Sequence, residues 1–242
     1  MQNKTYALIT GGSGAIGAAM SYALARAGNH TYIHTNQNLQ KAQTLVNELL
    51  QQGLSASLIQ FDVNNAEQTR QALEELAEKT PIQILVNNAG ITDDAVFPAM
   101  RQEQWQEVIN VSLNGFFNVT RPLVMPMIRS RFGRIVSISS IAAITGNRGQ
   151  VNYAAAKAAL HGASKSLALE LASRNITVNV VAPGIIKSPI TETIFDAEKI
   201  ARLVPMKRAG KPEEVASLVA YLCSRDASYI SGQVISVNGG MI

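Results

Sequence analysis

The stretch that most restricts this chain is Thr10-Gly11-Gly12-Ser13-Gly14-Ala15-Ile16-Gly17, which follows the short apolar run Tyr6–Thr10 and opens a helical pattern reaching Ala27. Strand, glycine loop and helix in that order turn free backbone N–H groups and the positive end of a helix dipole towards one point. That arrangement suits a pyrophosphate. Glycines are required because a side chain there would hold phosphates off the backbone. A glycine loop alone is a common turn; after a strand and before a helix it specifies a βα unit.

The alternation continues to the end of the chain. Thr31–His34, Ser57–Phe61, Ile84–Asn87, Ile135–Ile138, Thr177–Ala182 and Gln233–Val237 read as strands. Leu39–Gln52, Ala66–Lys79, Gln102–Arg129, Tyr153–Ser173 and Pro212–Cys223 read as helices, the third bent or interrupted by Pro122 and Pro126. The pattern predicts an α/β fold: a single-domain, Rossmann-like, doubly wound parallel sheet of about seven strands with helices on both faces. No internal repeat, linker or low-complexity stretch divides the 242 residues, and 47% hydrophobic against 16% charged residues suits one large core. Pro189–Val204 is polar and weakly periodic, as a mobile lid would be.

Composition narrows the partners. No apolar run approaches the ~18–20 residues of a membrane span, and the amino terminus, Met1–Thr10, reaches the glycine loop immediately after a short apolar run, which argues against a cleaved leader. The single cysteine, Cys223, precludes an internal disulfide and fits a reducing, cytoplasmic setting. A net charge of +4 suits an anionic cofactor or an acidic protein partner, and no basic cluster or motif points to nucleic acid.

The chemistry concentrates in Ser140 to Lys157. Ala154–Leu160 is rich in Ala and Leu without a breaker, so Tyr153 and Lys157, four apart, share a helix face. An isolated pair of this kind is usually a surface contact. Here an ammonium beside the phenol is expected to lower its pKa, which equips the tyrosine to exchange a proton with a carbonyl or alcohol oxygen. Ser140 follows the strand Ile135–Ile138, so its hydroxyl should emerge at that strand's carboxyl end. At the end of the second strand, an acidic residue would bond the ribose 2′-hydroxyl of NAD and repel a 2′-phosphate. This chain has Thr35, Asn36, Gln37 and Asn38 instead, which favours NADPH.

Ser140, Tyr153 and Lys157 are spaced as in the short-chain dehydrogenase/reductase family, which the whole chain resembles, most closely its 3-oxoacyl-acyl-carrier-protein reductase branch. The branch resemblance rests on Gly146-Asn147-Arg148-Gly149-Gln150-Val151-Asn152-Tyr153 and on Val237-Asn238-Gly239-Gly240-Met241. The glycine loop resembles the family's TGxxx[AG]xG, placing Gly11, Ser13, Gly14, Ile16 and Gly17 against the cofactor, although Gly14 stands where many relatives have Arg. The resemblance further implies that Asp62 and Val63 lie at the adenine, and that Asn88, Ala89 and Gly90 let the backbone pass close to the ribose. An isolated Asp62 would otherwise read as the cap of the helix Ala66–Lys79. Pro183, Gly184 and Ile186 would abut the nicotinamide, with Ser188 in place of a family Thr at its carboxamide.

One family position departs. The fourth catalytic residue, an Asn, aligns with Ser112 within Asn110-Val111-Ser112-Leu113, and Asn110 and Asn114 point to other sides of a helix. Basic residues matching Arg131 and Arg174 dock an acidic acyl-carrier protein in the family, and relatives assemble as tetramers through helices matching Gln102–Arg129 and Tyr153–Ser173. The implied activity is NADPH-dependent reduction of a 3-oxoacyl thioester in fatty-acid or related polyene or polyketide synthesis. Other readings are an acetoacetyl-CoA reductase, a sugar or steroid dehydrogenase, and a non-catalytic nucleotide-binding scaffold, because fold alone does not give function.

Overall fold

The computed structural model describes residues 4–242 of the chain; Met1–Asn3, the start of the stretch read against a leader, lie outside the described residues. Seven strands, β1 (Tyr6–Ile9), β2 (His30–Thr35), β3 (Ala56–Gln60), β4 (Ile82–Asn87), β5 (Gly133–Ile138), β6 (Ile176–Pro183) and β7 (Val234–Val237), form one sheet in the order β3-β2-β1-β4-β5-β6-β7. Every pairing is parallel. The direction of winding reverses between β1 and β4, and ligands of open α/β sheets settle in the crevice outside the carboxyl ends at such a point.

Alternation along the strands feeds both faces. In β1, Ala7 and Ile9 join the core beneath α1 (Ala15–Arg26) and α10 (Pro212–Cys223), while Leu8 joins the opposite core. α2 (Leu39–Gln51) extends the first layer through Ala42, Leu45, Val46 and Leu49, the spacing of an amphipathic helix. On the other face lie α3 (Ala66–Lys79), α4 (Gln102–Ile109), α5 (Gly115–Ser130), a short α6 (Ala142–Thr145) and α7 (Val151–Leu171). The expected lid is two short helices, α8 (Pro189–Ile194) and α9 (Ala197–Leu203).

The third expected helix, Gln102–Arg129, is broken, but not at its prolines. α5 runs through Pro122 and Pro126, because Val119, Leu123 and Met127 bury one stripe of it and that packing offsets the two hydrogen bonds the prolines forgo. The interruption is a π-helical turn at Asn110–Asn114, where Gly115 N bonds the carbonyl of Asn110, five residues back. Ser112 lies at its centre.

Candidate active site

At the nucleotide end, β1 delivers the loop Gly11–Gly14 to the start of α1. Gly11 has φ +60°, and Gly14 is extended at the helix N-cap with no side chain capping it. The first N–H groups of a twelve-residue helix are therefore left for a ligand. The loop closes on itself so tightly that a Cβ on Gly17 would stand 2.2 Å from Gly11 O, and one on Gly12 would stand 2.9 Å from the Ile33 side chain. Ser13 is buried beside them. Thr10 Oγ1 accepts from Asn88 N and Ala89 N, and Asn88 Nδ2 returns bonds to Thr10 O and Gly11 O, stitching the end of β4 to the loop. These backbone cradles fit a pyrophosphate and ribose.

Thr35 is buried at the end of β2, and Asn36 is exposed with its carbonyl held by Gln60 Nε2. Asp62 does not cap α3; Asn65 does, accepting from Gln68 N at 3.0 Å. Instead Asp62 Oδ1 accepts from Asn64 N at 2.9 Å in a tight turn just past the carboxyl end of β3. Val63 is buried against Gly115, where a Cβ would meet its Cγ2 at 3.1 Å.

The reacting end stands at the carboxyl ends of β4, β5 and β6. Ser140 follows β5 and accepts from Ala142 N at the start of α6, keeping its own proton to donate. Its hydroxyl reaches the Tyr153 phenol and favours the phenolate, but burial is the larger influence, and Asp94 acts in the same direction as burial. The phenol pKa is raised, not lowered as expected. Burial of the phenol is the reason. The Lys157 ammonium stands 5.8 Å from the Tyr153 ring centre, donates to Ile138 O at 2.9 Å, and is itself so buried that its pKa falls to about 8. A Cβ on Gly90 would come within 2.9 Å of Lys157 Nζ and 3.5 Å of Ser112 Oγ, so both atoms border one small space that only glycine keeps open. Ser112 Oγ is buried and has no hydrogen-bond partner among the described residues. Asn110 and Asn114 bond each other instead, on the exposed side.

Pro183 ends β6, and Gly184 packs so closely on Asn238 that a Cβ would meet its Cα at 2.8 Å. Ile186 sends its side chain into the core, and its carbonyl accepts from Thr191 Oγ1 at 2.7 Å. Ser188 caps α8, accepting from Thr191 N, so binding a carboxamide there calls on a hydroxyl already paired with Thr191. Arg131 and Arg174 do not join this site. They are neighbours, with Asn175 Nδ2 bonded to Arg131 O, but they sit at the amino ends of β5 and β6. Tyr153 lies in the first turn of α7 and Arg174 just past the end of that 21-residue helix, roughly 30 Å away at about 1.5 Å per residue.

Three residues were missed from the sequence. Asn152 is fully buried, with Nδ2 bonding Asp93 O and Gln104 O, and so pins the start of α7 to the loop after β4. Its position on the stripe Asn152, Ala156, Leu160, Ser164 marked it as a polar residue in a core face. Asp94 receives Gln150 Nε2 while Ala95 N bonds Gly149 O, which ties the same loop to the segment before Tyr153. His34 is the third, and no pattern in the strand signalled it.

A family model described as enoyl-(acyl carrier protein) reductase matches residues 12–242. The chain is 43% identical to the 3-oxoacyl-acyl-carrier-protein reductase FabG of Aggregatibacter actinomycetemcomitans over 97% of this chain and 98% of that protein. It is 45% identical to the protein of the same name from Aquifex aeolicus, over 100% and 98%. It is 46% identical to nodulation protein G of Rhizobium meliloti, over 97% and 96%. With a glycine-loop nucleotide cradle beside a Ser, Tyr and Lys at the carboxyl edge of a seven-stranded parallel sheet, the chain belongs to the short-chain dehydrogenase/reductase family, a family of nicotinamide-cofactor enzymes.

Proposed function

We propose that the protein is an NADPH-dependent reductase that converts a 3-oxoacyl thioester, carried on an acyl-carrier protein, to the 3-hydroxyacyl thioester. The observation that carries this reading is the convergence of Ser140, Tyr153 and Lys157 beside the nucleotide cradle, under a rim of exposed apolar side chains. Val96 and Phe97 follow the Ala95–Gly149 backbone bond, Ile144 lies on α6, and Val151 opens α7. Such a rim suits an acyl chain better than a sugar.

Held by the glycine loop and the Asn88–Gly90 segment, a nicotinamide cofactor would supply the hydride for the substrate carbon. Ser140 donates to the carbonyl oxygen and orients it. Tyr153, whose raised pKa keeps it protonated at neutral pH, transfers its proton to that oxygen, completing the alcohol. Lys157 places a positive charge by the phenolate left behind and faces the ribose side through the gap at Gly90. Ser112 borders the same space and accepts a place in returning a proton to Lys157.

NADPH rather than NADH is supported by the absence of any acid from Thr35 to Asn38. Phe117 and Met125 on α5 and Leu169 on α7 are exposed and support a homotetramer built on those helices. The arginines Arg131 and Arg174, about 30 Å from their own Tyr153, would dock an acidic carrier that loads the centre of another subunit. Among the described residues no helix is long and apolar enough to cross a membrane, in keeping with our reading of a cytoplasmic enzyme.

The test is NADPH and NADH oxidation with acetoacetyl thioesters of carrier protein, CoA and N-acetylcysteamine. The reading expects a hydroxyacyl product, a higher kcat/KM with NADPH and a preference for the carrier. Equal cofactor constants would remove the NADPH argument, and a CoA preference would favour the acetoacetyl-CoA reductase alternative. An enoyl thioester, the substrate class in the family description, is the second reading; consumption of crotonyl but not acetoacetyl thioester would establish it.

A further inference from the structure

His34 is 2% exposed at the end of β2, and both ring nitrogens are used. Nδ1 lies 3.1 Å from Gly11 N, and Nε2 lies 2.9 Å from Phe61 O. A backbone N–H only donates and a carbonyl only accepts, so the tautomer is fixed: Nδ1 bare, Nε2 carrying the hydrogen. The ring also lies on Phe61 with centres 4.0 Å apart, and the residue's own carbonyl accepts from Gly12 N. One residue thus holds Gly11 and Gly12 of the phosphate loop and the residue directly before Asp62 and Val63. Those two segments come from β1 and β3, which are not neighbours in the sheet; β2 lies between them.

We infer that His34 is a positioning residue for the nucleotide, a strut that fixes the distance between the phosphate loop and the adenine-side turn. It is a rigid strut and not a switch. Burial holds its pKa down to about 4, against the small opposing pull of the Phe61 carbonyl and of Asp62, so the imidazole stays neutral at working pH. Protonation would put a second donor against Gly11 N–H, an arrangement with nothing to accept it. The consequence is specific. Loss of the strut should weaken binding of the adenine–ribose–phosphate half of the cofactor and leave the proton transfer at Tyr153, at the other end of the crevice, untouched.

Three variants separate the two bonds. His34→Asn keeps an acceptor oxygen where Nδ1 stands and loses the reach to Phe61. His34→Gln keeps a distant donor and loses the near acceptor. His34→Ala loses both. Each lost hydrogen bond is expected to weaken binding roughly 3- to 10-fold, with His34→Ala weakest of the three. Calorimetric titration with NADPH and with adenosine 2′,5′-bisphosphate reads affinity without turnover; kcat at saturating cofactor and Tm complete the set. The expected result is parallel losses for both ligands, intermediate values for Asn and Gln, and an unchanged kcat. Unchanged affinities alongside a lowered Tm would show a packing residue only and overturn the inference. So would a fall in kcat as large as the loss of affinity, or a loss for NADPH that spares the bisphosphate. If His34→Ala does not fold, the Asn and Gln variants decide between the same outcomes.

Discussion

At the nucleotide end of the crevice the segments are tied to one another: Thr10 and Asn88 to each other, Gly11 and Phe61 to His34, Asn36 to Gln60, and Val63 to Asn118. At the substrate end the pieces are short and self-contained. α8 and α9 are capped from within by Ser188 and Asp196, Ile194, Leu203 and Met206 are exposed, and Asn238 Nδ2 is buried with no hydrogen-bond partner among the described residues. A cavity of about 330 Å³ opens there between Ile186, Met206 and Asn238. The difference teaches where the fold spends its rigidity. A phosphate needs donors fixed before it arrives, whereas acyl chains of several lengths need a wall that can yield.

The two ends can be separated by removing one atom from their junction. Tyr153→Phe keeps the ring and loses the proton donor, so kcat should fall by about 10²–10⁴-fold, the usual worth of general acid catalysis. NADPH affinity, measured by fluorescence titration, should stay within a few fold. More than a tenth of wild-type turnover would mean that another group supplies the proton. The converse experiment is Gly17→Ala. The added methyl would sit 2.2 Å from Gly11 O, backbone that cannot yield cheaply. Binding of NADPH should weaken about a hundredfold, with a lowered Tm, since overpacking of this kind costs about 1–3 kcal/mol in distorted backbone. A variant that binds normally would show the loop to be far softer than the substrate end.

A pH titration sharpens the same contrast. Lys157 has a folded pKa of about 8, below its ordinary value, because burial disfavours the ammonium. The anionic cofactor prefers the ammonium, so Kd for NADPH should be flat below about pH 7 and rise by up to about tenfold per unit above pH 8. The loss is not unfolding by this group. A depressed folded pKa means that its share of stability is fully present above the unfolded pKa and is lost as pH falls through 8, the opposite direction. A Kd independent of pH from about 7 to 9 would show that Lys157 makes no electrostatic contribution to binding.

Carrier docking is expected to give a smaller and selective effect. Arg131→Glu with Arg174→Glu should raise KM several-fold for a carrier-protein thioester, spare an N-acetylcysteamine thioester, and be mimicked in the wild type by added salt. Because the pair stands at the far end of α7 from its own Tyr153, mixed oligomers of this variant with Tyr153→Phe should recover part of the wild-type KM for the carrier thioester. Equal losses on both substrates would mean structural damage, and no recovery on mixing would place docking and chemistry within one subunit.

How much of this was legible follows from what each level of structure leaves in a sequence. Local patterns wrote the strands, the glycine loop and the Tyr153–Lys157 face plainly, and α1, α2, α3, α7 and α10 fell within a few residues of their expected bounds. The prolines misled, because their cost is local while the packing of Val119, Leu123 and Met127 that outweighs it is not. The Tyr153 pKa was read with the wrong sign, because a spacing of four shows which groups meet but not how deeply they are buried. His34 left no trace at all: its partners Gly11 and Phe61 lie just past the ends of β1 and β3, 23 and 27 residues away.

The smallest expected effect tests the point where the two ends meet. Ser112 occupies the π-helical turn, with its hydroxyl buried, unpaired among the described residues, and facing the space beside Lys157 Nζ. A buried hydroxyl without a partner costs about 1–3 kcal/mol unless water fills the gap, so a bridging water there is the expected arrangement. Serine both donates and accepts, and such a bridge can return a proton to Lys157 after Tyr153 has spent its own. Ser112→Ala removes the bridge but leaves the water a route along the backbone carbonyls of the turn, so kcat should fall only about two- to fivefold, far less than for Tyr153→Phe. Ser112→Asn reaches further into the same space and should be neutral or faster, with Asn110 and Asn114 unable to substitute because they are bonded to each other on the outer side. Solvent isotope effects on kcat would register the change even where the rate barely moves. A wild type that binds NADPH yet reduces no 3-oxoacyl thioester, and that gains activity on Ser112→Asn, would show that the proton route is broken in this chain and that its intact Ser140, Tyr153 and Lys157 serve something other than this reduction.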